Sequence, residues 1–266
     1  MSNGQGISKR FAQRRSEGRA ALIPYVMAGY PDAEQSGDCL KAIAEAGADV
    51  IELGIPFSDP LADGPTIQAA TYAALRNGMT VERTLEALRS FRAFWDTPVV
   101  LFSYLNPILQ YGVGRFISDA AGAGAQGLLL TDLPAGEDHA LEREVQDGPL
   151  DLIRLVAPTT EPARVRRVAE GGQGFLYYIS RTGVTGARQQ LRQGLGGEIE
   201  ALREVVALPI AVGFGISTPE QAEMVAGVAD GVVVGSALIT ALGAGGPDAA
   251  GALVASFRVA MDGAAT

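Results

Sequence analysis

The chain has 266 residues, 47% of them hydrophobic, and 21 Lys+Arg against 30 Asp+Glu give a formal net charge of −9. This composition supports a sizeable buried core and excludes a disordered chain, and the acidic balance excludes a nucleic-acid binder, which needs a basic face. A single cysteine, Cys39, excludes an intramolecular disulfide, and a single histidine, His139, excludes chemistry that needs a histidine pair.

A basic N-terminal segment carries Lys9, Arg10, Arg14 and Arg15 with no apolar stretch after it, so it is not a secretory signal and is expected to be helical. The first short apolar run spans 22–27. A stretch rich in Ala and Glu follows at 33–45, then a run at 50–53, a helical pattern at 81–94, and runs at 99–102 and 127–130. His139 follows in a polar stretch that reads as a solvated loop. Runs at 152–156, 175–179, 209–212 and 231–234 then alternate with helix-favouring segments at 161–169, 219–226 and 237–242. No run approaches ~18 consecutive apolar residues, so no transmembrane helix is expected. A soluble, cytoplasmic protein without membrane contact is the consistent reading.

Eight apolar runs alternating with helices imply βαβ units and a parallel sheet buried on both faces. A weak repeat supports closure. Gly47-Ala48-Asp49 leads into the second run, Gly124-Ala125-Gln126 into the fourth, Gly172-Gln173-Gly174 into the sixth and Gly227-Val228-Ala229-Asp230 into the eighth. A two-unit rhythm fits a barrel whose interior layers come from alternate strands, and such barrels need roughly 250 residues. The fold class is therefore α/β: one (β/α)₈ TIM-barrel domain across residues 1–266, with an N-terminal helix and extra helices. An open doubly wound sheet is the competing architecture.

In a barrel, chemistry belongs at the C-terminal strand ends. Glu52 stands inside an apolar run between Ile51 and Leu53, where a carboxyl gains proton affinity and suits general acid–base work. A buried structural ion pair is the bland alternative. Asp63 lies in the Pro- and Gly-rich stretch after it and offers a second carboxylate, or a turn residue beside Gly64. Thr66 is a candidate cap for the following helix. Gly213-Phe214-Gly215 and Gly235-Ser236 end the seventh and eighth runs, where backbone N–H groups and a helix N-terminus can hold a phosphate. The small residues of 180–187 read as a solvated connection or a lid. No metal site is expected.

Glu52-Leu53-Gly54-Ile55-Pro56-Phe57-Ser58-Asp59-Pro60-Leu61-Ala62-Asp63-Gly64-Pro65-Thr66-Ile67-Gln68 closely resembles the hallmark segment of tryptophan synthase alpha subunits. Agreement continues in Pro24-Tyr25-Val26-Met27-Ala28-Gly29, Tyr104-Leu105-Asn106-Pro107 and Asp132-Leu133-Pro134, and in 180–187, 213–217 and Gly235-Ser236. The resemblance implies retro-aldol cleavage of indole-3-glycerol phosphate to indole and glyceraldehyde 3-phosphate, a carbon–carbon lyase reaction in tryptophan biosynthesis. By the same resemblance Glu52 is the acid–base residue, Asp63 accepts from the indole N–H, and Tyr177 stands near the glycerol. Tyr25, Phe102 and Tyr104 line the indole pocket, Thr185 steadies the aspartate, and Gly186, Gly215, Gly235 and Ser236 cradle phosphate. It implies no cofactor in this chain, and an αββα complex with a beta subunit that carries pyridoxal phosphate. Pro56, Asp59, Pro60, Asn106 and Pro134 are the candidates for the facing surface. Tyr30, Phe102 and Leu105 depart from the family's common residues. A stand-alone lyase releasing free indole, and a catalytically silent barrel that activates a partner, are the competing functions.

Overall fold

The computed structural model describes residues 5–180, 188–213 and 215–263. Helix α1 (Gln5–Ser16) precedes strand β1 (Ala21–Met27). Helix α2 (Ser36–Glu45) leads to β2 (Ile51–Gly54), and helices α3 (Pro65–Arg76) and α4 (Val81–Arg92) lead to β3 (Val99–Ser103). Two more, α5 (Leu105–Tyr111) and α6 (Val113–Ala123), precede β4 (Gly127–Leu130), and α7 (His139–Gln146) precedes β5 (Asp151–Val156). The chain continues through α8 (Pro162–Glu170), β6 (Leu176–Ile179), α9 (Arg188–Arg203), β7 (Ile210–Gly213), α10 (Pro219–Ala226), β8 (Gly231–Val234) and α11 (Ser236–Gly263). The strands pair in parallel in sequence order, and β1 pairs with β8, which closes the barrel and removes the open-sheet alternative.

Alternation along each strand sorts the side chains into two layers. Ala21, Ile23, Val50, Val100, Leu129, Ile153, Phe175, Ala211 and Val233 fill the interior, and Ile7 and Phe11 of α1 plug it from the N-terminal mouth. Phe11 packs on Phe175 with ring centroids 5.4 Å apart. Neighbours of opposite parity, such as Leu22, Ile51, Leu53, Leu101, Leu128 and Val232, face the helices. The interior set fixes what lies one layer higher: Tyr25, Glu52, Phe102 and Tyr177 share its parity and therefore point into the C-terminal mouth.

Three local expectations change. His139 is the first residue of α7, not a loop residue: Asp138 caps that helix by accepting from the N–H groups of Ala140 and Leu141, which makes helix out of a polar stretch. Thr66 does not cap α3. Gly64 is the N-cap and Pro65 opens the helix, because a proline needs no donor partner there. The glycine repeat is also uneven: Gly47 and Gly124 take positive φ, but in the sixth-strand copy it is Gly174 that does so.

Residues 236–263 form a segment long and apolar enough to cross a membrane, with mean hydropathy 1.3 over its best window. The segment is two helices in sequence, broken where Gly245 and Gly246 leave helical geometry and Pro247 starts a new turn. Leu238, Leu242, Val254, Phe257 and Met261 are buried, and the segment packs on α2, α10 and β1.

Candidate active site

Parallel register sets the site. Tyr25 pairs with Glu52, Glu52 with Val100, and Gly54 with Phe102. Glu52 is only 1% exposed. Its Oε1 has no hydrogen-bond partner, and burial pushes its carboxyl up to about 8. An unpaired carboxylate in that place would lose its hydration without compensation, so the neutral acid is the form that folding favours. The structural ion-pair reading for Glu52 therefore has no cation to rest on among the described residues.

Two phenols stand beside it. The Tyr25 hydroxyl lies over Gly54 on the next strand, and the Tyr177 hydroxyl lies over Gly213 on β7; a Cβ at either glycine would collide with the phenol. Burial raises the proton affinity of both phenols; the Asp63 carboxylate raises that of Tyr25 further, and Glu52, when ionised, adds to both. Both stay neutral donors at any working pH. Phe102 meets Tyr25 edge-on, with centroids 5.3 Å apart and planes at 78°. This gives the apolar wall that a flat aromatic substrate needs.

Asp63 is held from the other side. The Tyr104 hydroxyl donates to its Oδ2 at 3.1 Å and accepts from the Ala62 N–H at 2.9 Å. Burial raises the Asp63 carboxyl, and the Tyr104 hydrogen bond opposes that rise. Tyr104 also packs on Phe57, centroids 5.3 Å apart. It thus holds the Asp63 carboxylate, through a tertiary contact that no local motif displays. Gln68 staples the same loop by donating to the carbonyls of Pro60 at 3.2 Å and Asp63 at 3.0 Å.

Across the mouth, Gly235 follows the end of β8, and Ser236 opens α11. The Gly235 carbonyl accepts from Leu238 and Ile239, so the helix starts there with its first N–H groups directed outward. Gly215 follows the paired strand β7 with φ +83°, a backbone state that favours glycine. Thr185 and Gly186 lie outside the described residues, so the 180–187 lid reading does too.

Of the surface candidates, Asp59, Asn106 and Pro134 are exposed, but Pro56 and Pro60 are buried. Those two prolines stiffen the loop from within instead of facing outward. Leu61 beside them is 89% exposed, a better apolar contact than either. A separate cleft of about 510 Å³ opens at the opposite mouth, between α1 and the starts of β6, β7 and β8. Its cations are already engaged, Arg15 with Asp230 and Arg19 with Asp262, and it lies at the far end of the strands from both site carboxyls.

A closed (β/α)₈ barrel with an uncharged buried acid, a second carboxylate and a phosphate-competent helix start at one mouth defines an acid–base barrel enzyme. A sequence profile of the family described as tryptophan synthase alpha chain matches residues 11–261. The tryptophan synthase alpha chain of Acidiphilium cryptum is 51% identical over 240 residues, covering 90% of this chain and 87% of that one. The crystal structure of the alpha subunit from Legionella pneumophila superposes with TM-score 0.89 at 38% identity, covering 97% of this chain and 98% of that one. An open form of tryptophan synthase from M. tuberculosis gives 0.88 at 38% identity, covering 96% and 98%. The chain belongs to the tryptophan synthase alpha chain family.

Proposed function

We propose that Glu52 and Asp63 divide the proton chemistry of indole-3-glycerol phosphate cleavage, the lyase reaction of this family in tryptophan biosynthesis. The observation that carries the assignment is the buried, unpartnered carboxyl of Glu52, facing the same mouth as Asp63 and its Tyr104 donor. With its proton affinity raised to about 8, Glu52 is loaded at neutral pH. It first gives that proton to the indole C3 carbon. The ring then carries positive charge at nitrogen, and ionised Asp63 accepts from the indole N–H and stabilises that charge. The bond from C3 to the hydroxyl-bearing glycerol carbon breaks next, and its electron pair returns to the ring. The hydroxyl proton passes back to the Glu52 carboxylate as the carbonyl forms. Indole and glyceraldehyde 3-phosphate leave, and Glu52 ends in the state in which it began.

Tyr177 and Tyr25 stay neutral and donate to substrate oxygens, while Phe102 and Tyr104 hold the indole. Gly215 after β7, and Gly235 and Ser236 at the start of α11, take the phosphate with backbone N–H groups. By the family resemblance, Thr185 steadies Asp63 and Gly186 joins the phosphate cradle. The chain acts as one domain over residues 1–266 in the cytoplasm. It needs no cofactor of its own and docks through Asp59, Asn106 and Pro134 on a beta subunit that carries pyridoxal phosphate, in an αββα assembly.

Indole release from indole-3-glycerol phosphate, measured with and without a tryptophan synthase beta subunit, tests this. Slow release that accelerates with beta is expected, and Glu52→Gln abolishes it while binding persists. Near-wild-type turnover in that variant sinks the role of Glu52. Fast release without beta returns the stand-alone lyase, and no release from the wild type returns the silent barrel.

A further inference from the structure

Arg154 interrupts the apolar strand β5 and is only 3% exposed. It points outward, between the strand and α7, and its Nη2 meets Glu142 Oε2 of that helix at 2.9 Å. Its Nη1 donates to the Leu133 carbonyl at 3.2 Å, and the other oxygen of Glu142 accepts from the Gly136 N–H at 2.7 Å. The ion pair therefore grips the connection between β4 and α7 at two points. The residue between Thr131 and Leu133 does the rest: Asp132 Oδ1 accepts from the Leu105 N–H at 2.7 Å. Helix α5 starts at Leu105 with Tyr104 as its N-cap, and no side chain of its own segment caps it. Asp132 supplies that cap from another element.

The links run without a gap from β5 to the site. Arg154 and Glu142 fix Leu133 and Gly136, those fix Asp132, Asp132 fixes the start of α5, and the preceding Tyr104 holds Asp63. We propose that Arg154 and Glu142 are positioning residues for the reaction, acting through Asp132 and Tyr104 on the Asp63 carboxylate. This rests on the reading of Asp63 given above for its kinetic consequence, though not for its structural one. Burying such a pair is costly, and an apolar pair of similar shape would fill the space at least as stably. Fold stability alone thus gives no account of why a charged pair is placed under this loop, whereas a guanidinium that reaches a carbonyl two elements away does.

Among the described residues, the groups facing Asp63 are Tyr104, which donates to it, and Tyr25 across the mouth. Loss of the strut lets Tyr104 drift, and the Asp63 carboxyl loses the hydrogen bond that opposes the effect of burial. Its titration then moves to higher pH.

The test compares wild type, Arg154→Met, Tyr104→Phe, their combination, and the apolar pair Arg154→Met/Glu142→Met. Asp63 is followed by carboxyl ¹³C NMR titration, assigned with Asp63→Asn, and kcat/KM is followed against pH. The proposal expects Arg154→Met to raise the Asp63 midpoint as Tyr104→Phe does, with no further rise in the combination. It also expects kcat/KM to fall about tenfold, the size of a small misplacement of a reacting group. The apolar pair is expected to restore thermal stability and leave the raised midpoint. An unmoved midpoint in Arg154→Met, or its return to the wild-type value in the apolar pair, overturns the strut. A raised midpoint without any change in kcat/KM upholds the strut and removes Asp63 from the chemistry.

Discussion

At the scale of single residues, Glu52 was legible because a carboxylate between Ile51 and Leu53 breaks an otherwise apolar strand. Its burial has a consequence for stability that is separate from turnover. The folded carboxyl, at about 8, lies above its unfolded value near ~4.3. Folding is then favoured by the protonated form, and the stability present at low pH is lost as pH rises toward 8. Glutamine has no proton to lose. Glu52→Gln is therefore expected to be more stable than wild type, with an advantage that grows between pH 5 and pH 8 by on the order of 3 kcal/mol. Urea unfolding at the two pH values measures it, and an equal difference at both means the acid is not buried in this state. On the proposed role of Glu52, kcat/KM of the wild type is expected to fall as pH rises past about 8, where the free residue loses the proton that role requires. A profile flat to pH 9.5 would contradict that. Arg154 broke the next-but-two strand just as visibly, yet a cation in a strand gave no hint of which loop it reached. Gly54 and Gly213 were less legible still, because the phenols they seat come from neighbouring strands.

At the scale of elements, the eight apolar runs matched the eight strands to within about a residue at each end, since parallel strands buried on both faces are apolar throughout. Helices α5, α6 and α7 were harder to see. Helix α5 is short and starts with a borrowed cap, and α7 begins in polar residues that only the Asp138 cap turns into a helix. The start of α11 carries a prediction. Its outward N–H groups and its dipole favour an anion. A side chain at Gly235 has room, since among the described residues a Cβ there would meet only the Tyr25 Cβ, at 3.9 Å. Gly235→Asp should then fold normally and place a fixed negative charge at the proposed phosphate position. KM is expected to rise by about tenfold or more, equivalent to roughly 1.4 kcal/mol, with the loss shrinking at high salt. Gly235→Asn, equal in size and uncharged, separates charge from bulk. An unchanged KM in the aspartate variant removes this helix start from the phosphate site.

At the scale of the whole molecule, the two mouths of the barrel do different work, and the closed sheet keeps them apart. The N-terminal mouth is where the chain is fastened to itself. Asp49, fully buried, accepts from the Leu22 N–H at 2.9 Å, from Arg14 of α1 at 2.6 Å and from Arg258 of α11 at 3.0 Å. Arg258 continues to Asp262 at 2.7 Å, and Asp262 meets Arg19 at 2.8 Å. One carboxylate therefore ties the first helix, the first strand and the last helix beside the β1–β8 seam. The sequence showed Asp49 only as part of a repeat, because its partners lie 35 and 209 residues away. Removing it leaves Arg258, nearly buried, facing no charge from that side, and breaking a buried pair in this way costs about 3–5 kcal/mol. Asp49→Ala is expected to lower the urea midpoint accordingly with an unchanged m-value, and the deficit should persist in 0.5 M salt because buried charges are poorly screened. The folded fraction should keep wild-type kcat, since Glu52 and Asp63 sit at the other mouth. A large loss of kcat in protein that is still fully folded would show that the seam and the site are mechanically coupled; intact kcat in weakened protein leaves the two mouths independent, one holding the barrel closed and the other doing its chemistry.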